Sequence, residues 1–252
     1  MSDWKAPALA GVLGLLAPLS AAAAQSPRIV VELEGGPVWQ SRNDVEIPND
    51  GRSTRFSLRD FVGSGPWPAG RLYVTWNVAE RHGLRLLAAP FSLSETFIPL
   101  RPLRFAHQGY LAGEPVRATY TFNSYRLSYR YRWHAAERTA AWVGVTAKVR
   151  DATVALVQEG TDSREDDVGV IPLLHVAGEW RVAPRWRLAL DADGLAGGPG
   201  RAIDAALKLG FDPGGPWTIH AGYRTLEGGA DVPEIYNFAW LHYAVASVSW
   251  RR

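Results

Sequence analysis

From residue 28 onward the chain alternates apolar and polar positions with a period of two. The clearest stretch is Tyr125 to Trp133: Tyr125, Leu127, Tyr129, Tyr131 and Trp133 fall on one side, and Arg126, Ser128, Arg130 and Arg132 on the other. Successive side chains of a strand point to opposite faces, so this segment predicts a strand with one aromatic face and one strongly basic face. The rhythm recurs. Ile29, Val31 and Leu33 oppose Glu32 and Glu34; Leu72, Val74 and Trp76 oppose Arg71 and Thr75; Val143, Val145 and Val149 oppose Thr146, Lys148 and Arg150. Trp186, Leu188 and Leu190 oppose Arg187 and Asp191, Ile203 and Leu207 oppose Asp204 and Lys208, and Trp217, Ile219 and Tyr223 oppose His220 and Arg224.

The pattern predicts strands at 28–40, 71–79, 83–97, 117–133, 139–157, 168–182, 186–195, 201–211, 216–226 and 236–250. Tight turns fall at Glu80-Arg81-His82, His134 to Arg138, Ala183-Pro184 and Asp212-Pro213-Gly214-Gly215; longer links fall at 41–70, 98–116 and 158–167, with shorter ones at 196–200 and 227–235. Asp-Pro-Gly-Gly is a turn with a mechanism, since Pro presets φ and Gly tolerates positive φ. Ten strands with short turns at one end and longer links at the other predict an all-β fold: a closed, antiparallel, up-and-down transmembrane β-barrel with its short turns in the periplasm.

The N-terminus reads as an address. Lys5 precedes an apolar run from Ala8 to Leu19, and Ala22-Ala23-Ala24 offers a small-residue cleavage site before Gln25. Residues 1–24 are therefore expected to be a cleavable signal peptide and 25–252 the barrel. The run is too short to span a bilayer as a helix, and no long apolar segment follows it. The expected location is a bacterial outer membrane, reached by signal-peptide-directed export.

Composition narrows the reading. A chain without cysteine has no disulfide, thiolate metal site or cysteine nucleophile. A net charge of +2 implies no nucleic-acid partner. Eleven tryptophans and nine tyrosines against one methionine fit an interface between oil and water. Trp133, Trp180, Trp186, Trp217 and Trp250 lie beside the predicted short turns or the C-terminus and are expected to form one membrane-interface girdle; Trp39, Phe97, Tyr236, Phe238 and Trp240 are candidates for the other.

If the apolar faces meet lipid, the other faces line the lumen. That assigns Glu32, Glu34, Arg126, Arg130, Lys148, Arg150, His175, Glu179, Asp191, Asp204, Lys208, His220 and Arg224 to the interior, with Asp193 in phase with Asp191. The bases concentrate on the fourth and fifth predicted strands and the acids on the first and the sixth to eighth, so basic and acidic arcs are expected to face each other. Eight strands leave an interior that side chains just fill, and ten sit near that limit. The expected lumen is salt-bridged and closed or narrowly wet, with a path for a small solute or ion as the functional alternative.

The last strand carries a resemblance. Ala244, Ala246, Val248 and Trp250 form an alternating apolar face near the end of the sequence, which resembles the C-terminal strand of bacterial outer-membrane β-barrel proteins. That family usually ends in an aromatic residue, whereas Arg251-Arg252 follow Trp250 here. Tyr223-Arg224-Thr225-Leu226-Glu227-Gly228-Gly229 also resembles an uncharacterised proteobacterial barrel group. The resemblance implies outer-membrane lipid and the barrel-assembly machinery as partners, and it brings no catalytic residues.

A non-enzymatic barrel (a narrow channel, a surface-interaction platform or an envelope element) is the leading functional reading. Two alternatives stand beside it. One is a barrel hydrolase acting on lipid or peptide at the outer rim, with His107, Asp166 and Asp167 as candidate catalytic residues and Asp231 and His242 nearby. No G-x-S-x-G elbow or H-E-x-x-H motif is present, and the acidic run Asp162 to Asp167 reads as a solvated loop. The other is a soluble periplasmic barrel that carries a ligand. No histidine pair has metal-ligand spacing on one face, and nothing implies a cofactor.

Overall fold

The computed structural model describes residues 27–198 and 200–252. The expected signal peptide at 1–24 lies outside the described residues. In chain order the elements are β1 (Ile29–Glu46), β2 (Phe56–Ser57), α1 (Leu58–Val62), β3 (Trp67–Asn77), β4 (His82–Ala89), β5 (Ser92–Phe97), β6 (Leu103–Phe105), β7 (Gln108–Tyr110), β8 (Val116–Ala135), β9 (Thr139–Gln158), β10 (Thr161–Ala183), β11 (Trp186–Gly197), β12 (Gly200–Gly214), β13 (Trp217–Val232) and β14 (Ile235–Arg251).

The wall is an antiparallel ladder that runs from β1 through β3, β4 and β8 to β14, and it closes where β14 pairs with β1 from Val30↔Arg251 to Glu46↔Tyr236. β4 and β5 form one wall strand. Both pair with β8, and Pro90-Phe91 interrupts them because proline has no N–H to give the ladder. The result is a closed ten-stranded antiparallel barrel. Among the described residues no helix is long and apolar enough to cross a membrane; here strands do the crossing.

Burial is inverted relative to a water-soluble protein. Leu33 is 65% exposed while its neighbour Glu34 is 1% exposed. The same contrast runs around the wall: Leu86, Val145, Leu174, Leu207 and Ile219 face outward, and Arg85, Thr146, His175, Lys208 and His220 face inward and are buried. An exterior of this kind needs lipid to cover it. The soluble-carrier alternative fails on this point.

Two expected links are corrected. Residues 158–167 and 227–235 are mostly strand, not loop: β9–β10 turns at 159–160 and β13–β14 at 233–234. The acidic run lies in the β9–β10 ladder, with Asp166 opposite Thr153 and Asp167 opposite Ala152. Backbone pairing continues past the apolar band, and in β10 most of 162–167 is exposed on both faces, so alternation carries no signal there.

At the long-loop end the lumen is capped. The segment 47–66 contributes Ile47, Phe56, Leu58 and Val62, and the β6–β7 hairpin contributes Leu103, Phe105 and Tyr110; these pack against inward residues such as Val45, Tyr120, Leu156 and Leu241. The two loops are stitched together, since Ala106 N–H donates to the Ile47 carbonyl at 2.9 Å and Thr54 N–H to the Arg104 carbonyl at 2.9 Å. Tyr110 anchors the hairpin by donating to the Leu156 carbonyl at 3.0 Å.

Wall curvature depends on glycines that turn inward. A Cβ on Gly144 would fall 1.9 Å from the Tyr129 carbonyl oxygen of the neighbouring strand, and one on Gly222 would fall 2.2 Å from that of Leu207. Backbone cannot yield as a side-chain tip does. Gly144→Ala is expected to cost at least about 1–3 kcal/mol. A lowered urea midpoint for the refolded variant checks this; an unchanged midpoint refutes it.

Candidate functional site: a charged plug in the lumen

The middle of the lumen is filled by five carboxylates and five cations. Asp204 on β12 accepts from Arg71 Nη1 at 3.0 Å, Arg126 Nη2 at 2.6 Å and Arg224 Nη1 at 2.5 Å. Glu34 on β1 accepts from Arg224 Nε at 2.9 Å and Lys208 Nζ at 2.9 Å, with Arg71 Nε 3.8 Å away. Asp193 on β11 takes Arg126 Nη1 at 2.8 Å, Thr146 Oγ1 at 2.9 Å and His175 Nδ1 at 2.8 Å. Glu32 takes Lys208 Nζ at 2.5 Å and Ser247 Oγ at 2.6 Å, and Asp191 forms a two-pronged pair with Arg85. Planar guanidinium forks shared between carboxylates hold several strands at once, with a fixed geometry that a lysine's point charge lacks.

Glu34, Arg126, Lys148, His175, Asp204, Lys208, His220 and Arg224 are buried, yet the two-arc picture needs correction. Arg126 does reach across from β8 to the acids on β11 and β12. The other acids are met by bases outside β8 and β9: Lys208 on β12 and Arg224 on β13 for Glu34, and Arg85, reaching across from β4, for Asp191. Arg71 and Arg85 were absent from the expected set, although each alternates with outward leucines and so shows the same signal. With the acids satisfied this way, Lys148 and Arg130 of the basic arc have no carboxylate within ion-pair reach among the described residues; each lies over a ring instead, Phe122 at 4.9 Å and Trp142 at 5.0 Å. Arg150 pairs with Asp167 and Glu179 with Arg187.

Among the described residues, cavities flank the plug at both ends. At the short-turn end a space of about 360 Å³ opens among Arg130, Arg132, Arg181, Arg187, Arg251 and Glu179. Near the long-loop end, where β10 runs past the short β11–β12 hairpin, a space of about 440 Å³ is bordered by Phe122, Ile171, Leu195 and Leu226 with Lys148 and Arg150 beside them.

His175, Asp191 and Asp193 bring ligand atoms within 4.8 Å of one another, a grouping that chain spacing did not predict. Their charge demand is met by arginine, because Asp191 is held by Arg85 and Asp193 by Arg126. The rim candidates do not converge. His107 sits exposed in the β6–β7 turn at φ 66°, Asp166 pairs with Arg164 and Thr153, and Asp167 pairs with Arg150.

Trp133, Trp180, Trp186 and Trp217 are exposed on the exterior, and Trp250 lies opposite Trp217 in the ladder. At the other end Trp39 and Trp240 face outward, but Phe97 does not belong to a girdle: it stacks on Phe61 at 4.0 Å inside the cap. Arginines cover the remaining two, with Arg55 over Tyr236 at 3.8 Å and Arg201 over Phe238 at 4.9 Å.

No protein-family model matches the chain, and no curated protein matches it by sequence. Among solved structures, the outer membrane protease OmpT from Escherichia coli matches with a TM-score of 0.55 at 8% identity, over 93% of this chain and 99% of that one. This chain has the fold of an outer-membrane β-barrel. Ail, the attachment invasion locus protein of Yersinia pestis, matches with a TM-score of 0.37 at 10% identity, over 88% of this chain and 99% of that one. The Pseudomonas putida toluene transporter TodX matches with a TM-score of 0.37 at 10% identity, over 91% of each chain.

Proposed function

We propose that this chain is an integral protein of a bacterial outer membrane, exported by a cleavable leader at 1–24, whose lumen is structural and does not conduct. The observation that carries this reading is Asp204: its carboxylate is held by arginines from β3, β8 and β13 at once, so cross-links span the bore at its middle. Its partners are outer-membrane lipid around the wall and the barrel-assembly machinery during insertion. With the bore closed, the protein acts through its exterior and its long-loop end. Passage of a small solute or ion is the competing reading.

Reconstitution into planar bilayers tests it. The expected result is no steady conductance in salt solution over a range of voltages. A steady open level in most insertions refutes the closed bore.

A further inference from the structure

The bore accounts for the buried charges and leaves the exterior wall unexplained. There, β1 carries a β-bulge between Gln40 and Arg42. Gln40 points inward and donates to the Gly63 carbonyl at 2.6 Å, and Asn43 points inward and donates to Gln40 at 3.0 Å. The two residues between them, Ser41 and Arg42, both point outward. A bulge re-aims a side chain in this way.

Ser41 Oγ lies 2.7 Å from His242 Nε2 on β14, and His242 Nδ1 lies 2.5 Å from the Tyr223 hydroxyl on β13. A longer contact of 3.5 Å joins Ser41 Oγ to the Trp240 carbonyl. When Nδ1–H donates to the Tyr223 oxygen, Nε2 keeps its lone pair and accepts the Ser41 hydroxyl. A hydroxyl, an imidazole and a third group that orients the imidazole are the parts of an activated nucleophile. The Trp240 and Tyr223 rings flank the imidazole at 5.3 and 6.1 Å.

The depth of this row suggests its substrate. His242 stands eight residues from Trp250 of the short-turn girdle. At about 3.3 Å per residue and a tilt of about 40°, that is roughly 20 Å of height within an apolar band about 25 Å tall. Trp39 and Trp240, exposed at the same level, fit a headgroup boundary. The ester carbonyls of acyl lipids lie at that boundary.

We propose that Ser41, His242 and Tyr223 form an ester-hydrolysing site on the lipid-facing wall, with the acyl ester of a lipid in the adjacent leaflet as substrate. Ser41 Oγ attacks the ester carbonyl carbon while its proton passes to His242 Nε2. The bond from acyl carbon to alkoxy oxygen breaks, and the alcohol leaves with that proton. Water then attacks the acyl-Ser41 ester, gives a proton to His242, and releases the carboxylic acid as the proton returns to Ser41. Arg42 is the next residue on the same face, its guanidinium held by Asp44 at 2.7 Å and by the Tyr236 hydroxyl at 2.7 Å. Tyr223 is a positioning residue.

The test uses the refolded full barrel in detergent micelles, a fluorophosphonate probe, and mixed micelles of phosphatidylethanolamine. Expected are probe addition at Ser41, located by peptide mass, and release of free fatty acid, both absent in Ser41→Ala. His242→Ala should slow release by about 10²- to 10⁴-fold. Tyr223→Phe should lower kcat with KM unchanged. All three positions are on the exterior, and an unchanged heat-shifted gel mobility verifies that each variant is folded. A wild-type barrel that takes no label and releases no acid overturns the proposal, as does release that survives in Ser41→Ala. Bilayer conductance is independent of either result.

Discussion

Asp204→Ala is expected to destabilise the barrel by about 3–5 kcal/mol, the range for breaking a buried ion pair by removing one partner. Asp204 and the three arginines it serves are each at most 5% exposed. Losing the carboxylate leaves Arg71, Arg126 and Arg224 crowded in a space with one negative charge fewer. Their remaining partners do not make up the loss: Arg126 keeps Asp193, and Arg71 and Arg224 compete for Glu34 with Lys208. Asp204→Asn should cost nearly as much, because it retains the shape and not the charge. The double variant Asp204→Ala/Arg126→Met should recover much of the loss, since it removes one charge of each sign and fills part of the vacated space. Urea unfolding followed by tryptophan fluorescence reads all three. A cost below about 1 kcal/mol for Asp204→Ala is what a solvated pair would give, and it would mean the bore is wet enough to screen its charges.

The wall was legible in the sequence for a simple reason. A strand with lipid on one side and a charged bore on the other must alternate, and Tyr125 to Trp133 does so without a break. Legibility failed where that contrast fades. The outer part of β10 is exposed on most of both faces, so Asp162 to Asp167 reads as a loop although it pairs residue by residue. The bulge at Ser41 escaped because the first strand was expected to end at residue 40, whereas β1 continues to Glu46, and a one-residue slip of phase has no marker of its own. Which acid meets which base was also hidden, because contacts across a barrel depend on strand stagger that no single strand encodes. The cap did leave a trace. On the inward face of β8, Val116, Ala118, Tyr120 and Phe122 give way to Ser124, Arg126, Ser128 and Arg130, so the face changes from apolar to charged partway along the strand. That change marks where the folded-in loops meet the charged plug.

The plug and the cap are two closures in series, and each should suffice alone. Replacing 48–66 and 98–115 with short linkers removes the apolar cap and exposes the long-loop face of the charged network. The arginine-carboxylate bridges still cross the bore there, so this variant should show no steady conductance. Replacing both Arg126 and Asp204 with serine keeps the net charge, removes one long side chain and its carboxylate partner, and leaves polar walls that hold water. With the cap in place this variant should also stay closed, since Leu58, Phe105 and Tyr110 are almost fully buried and leave no wet path. Combining the changes joins the 360 Å³ space at the short-turn end to the outside through a solvated gap. Conductance should then appear where neither parent has any, the strongly non-additive outcome expected of barriers in series. A steady current in the loop-shortened variant alone would make the cap the sole seal and the network permeable. A current in the serine variant alone would show the converse, that ions pass between the loops and only the charges hold them back.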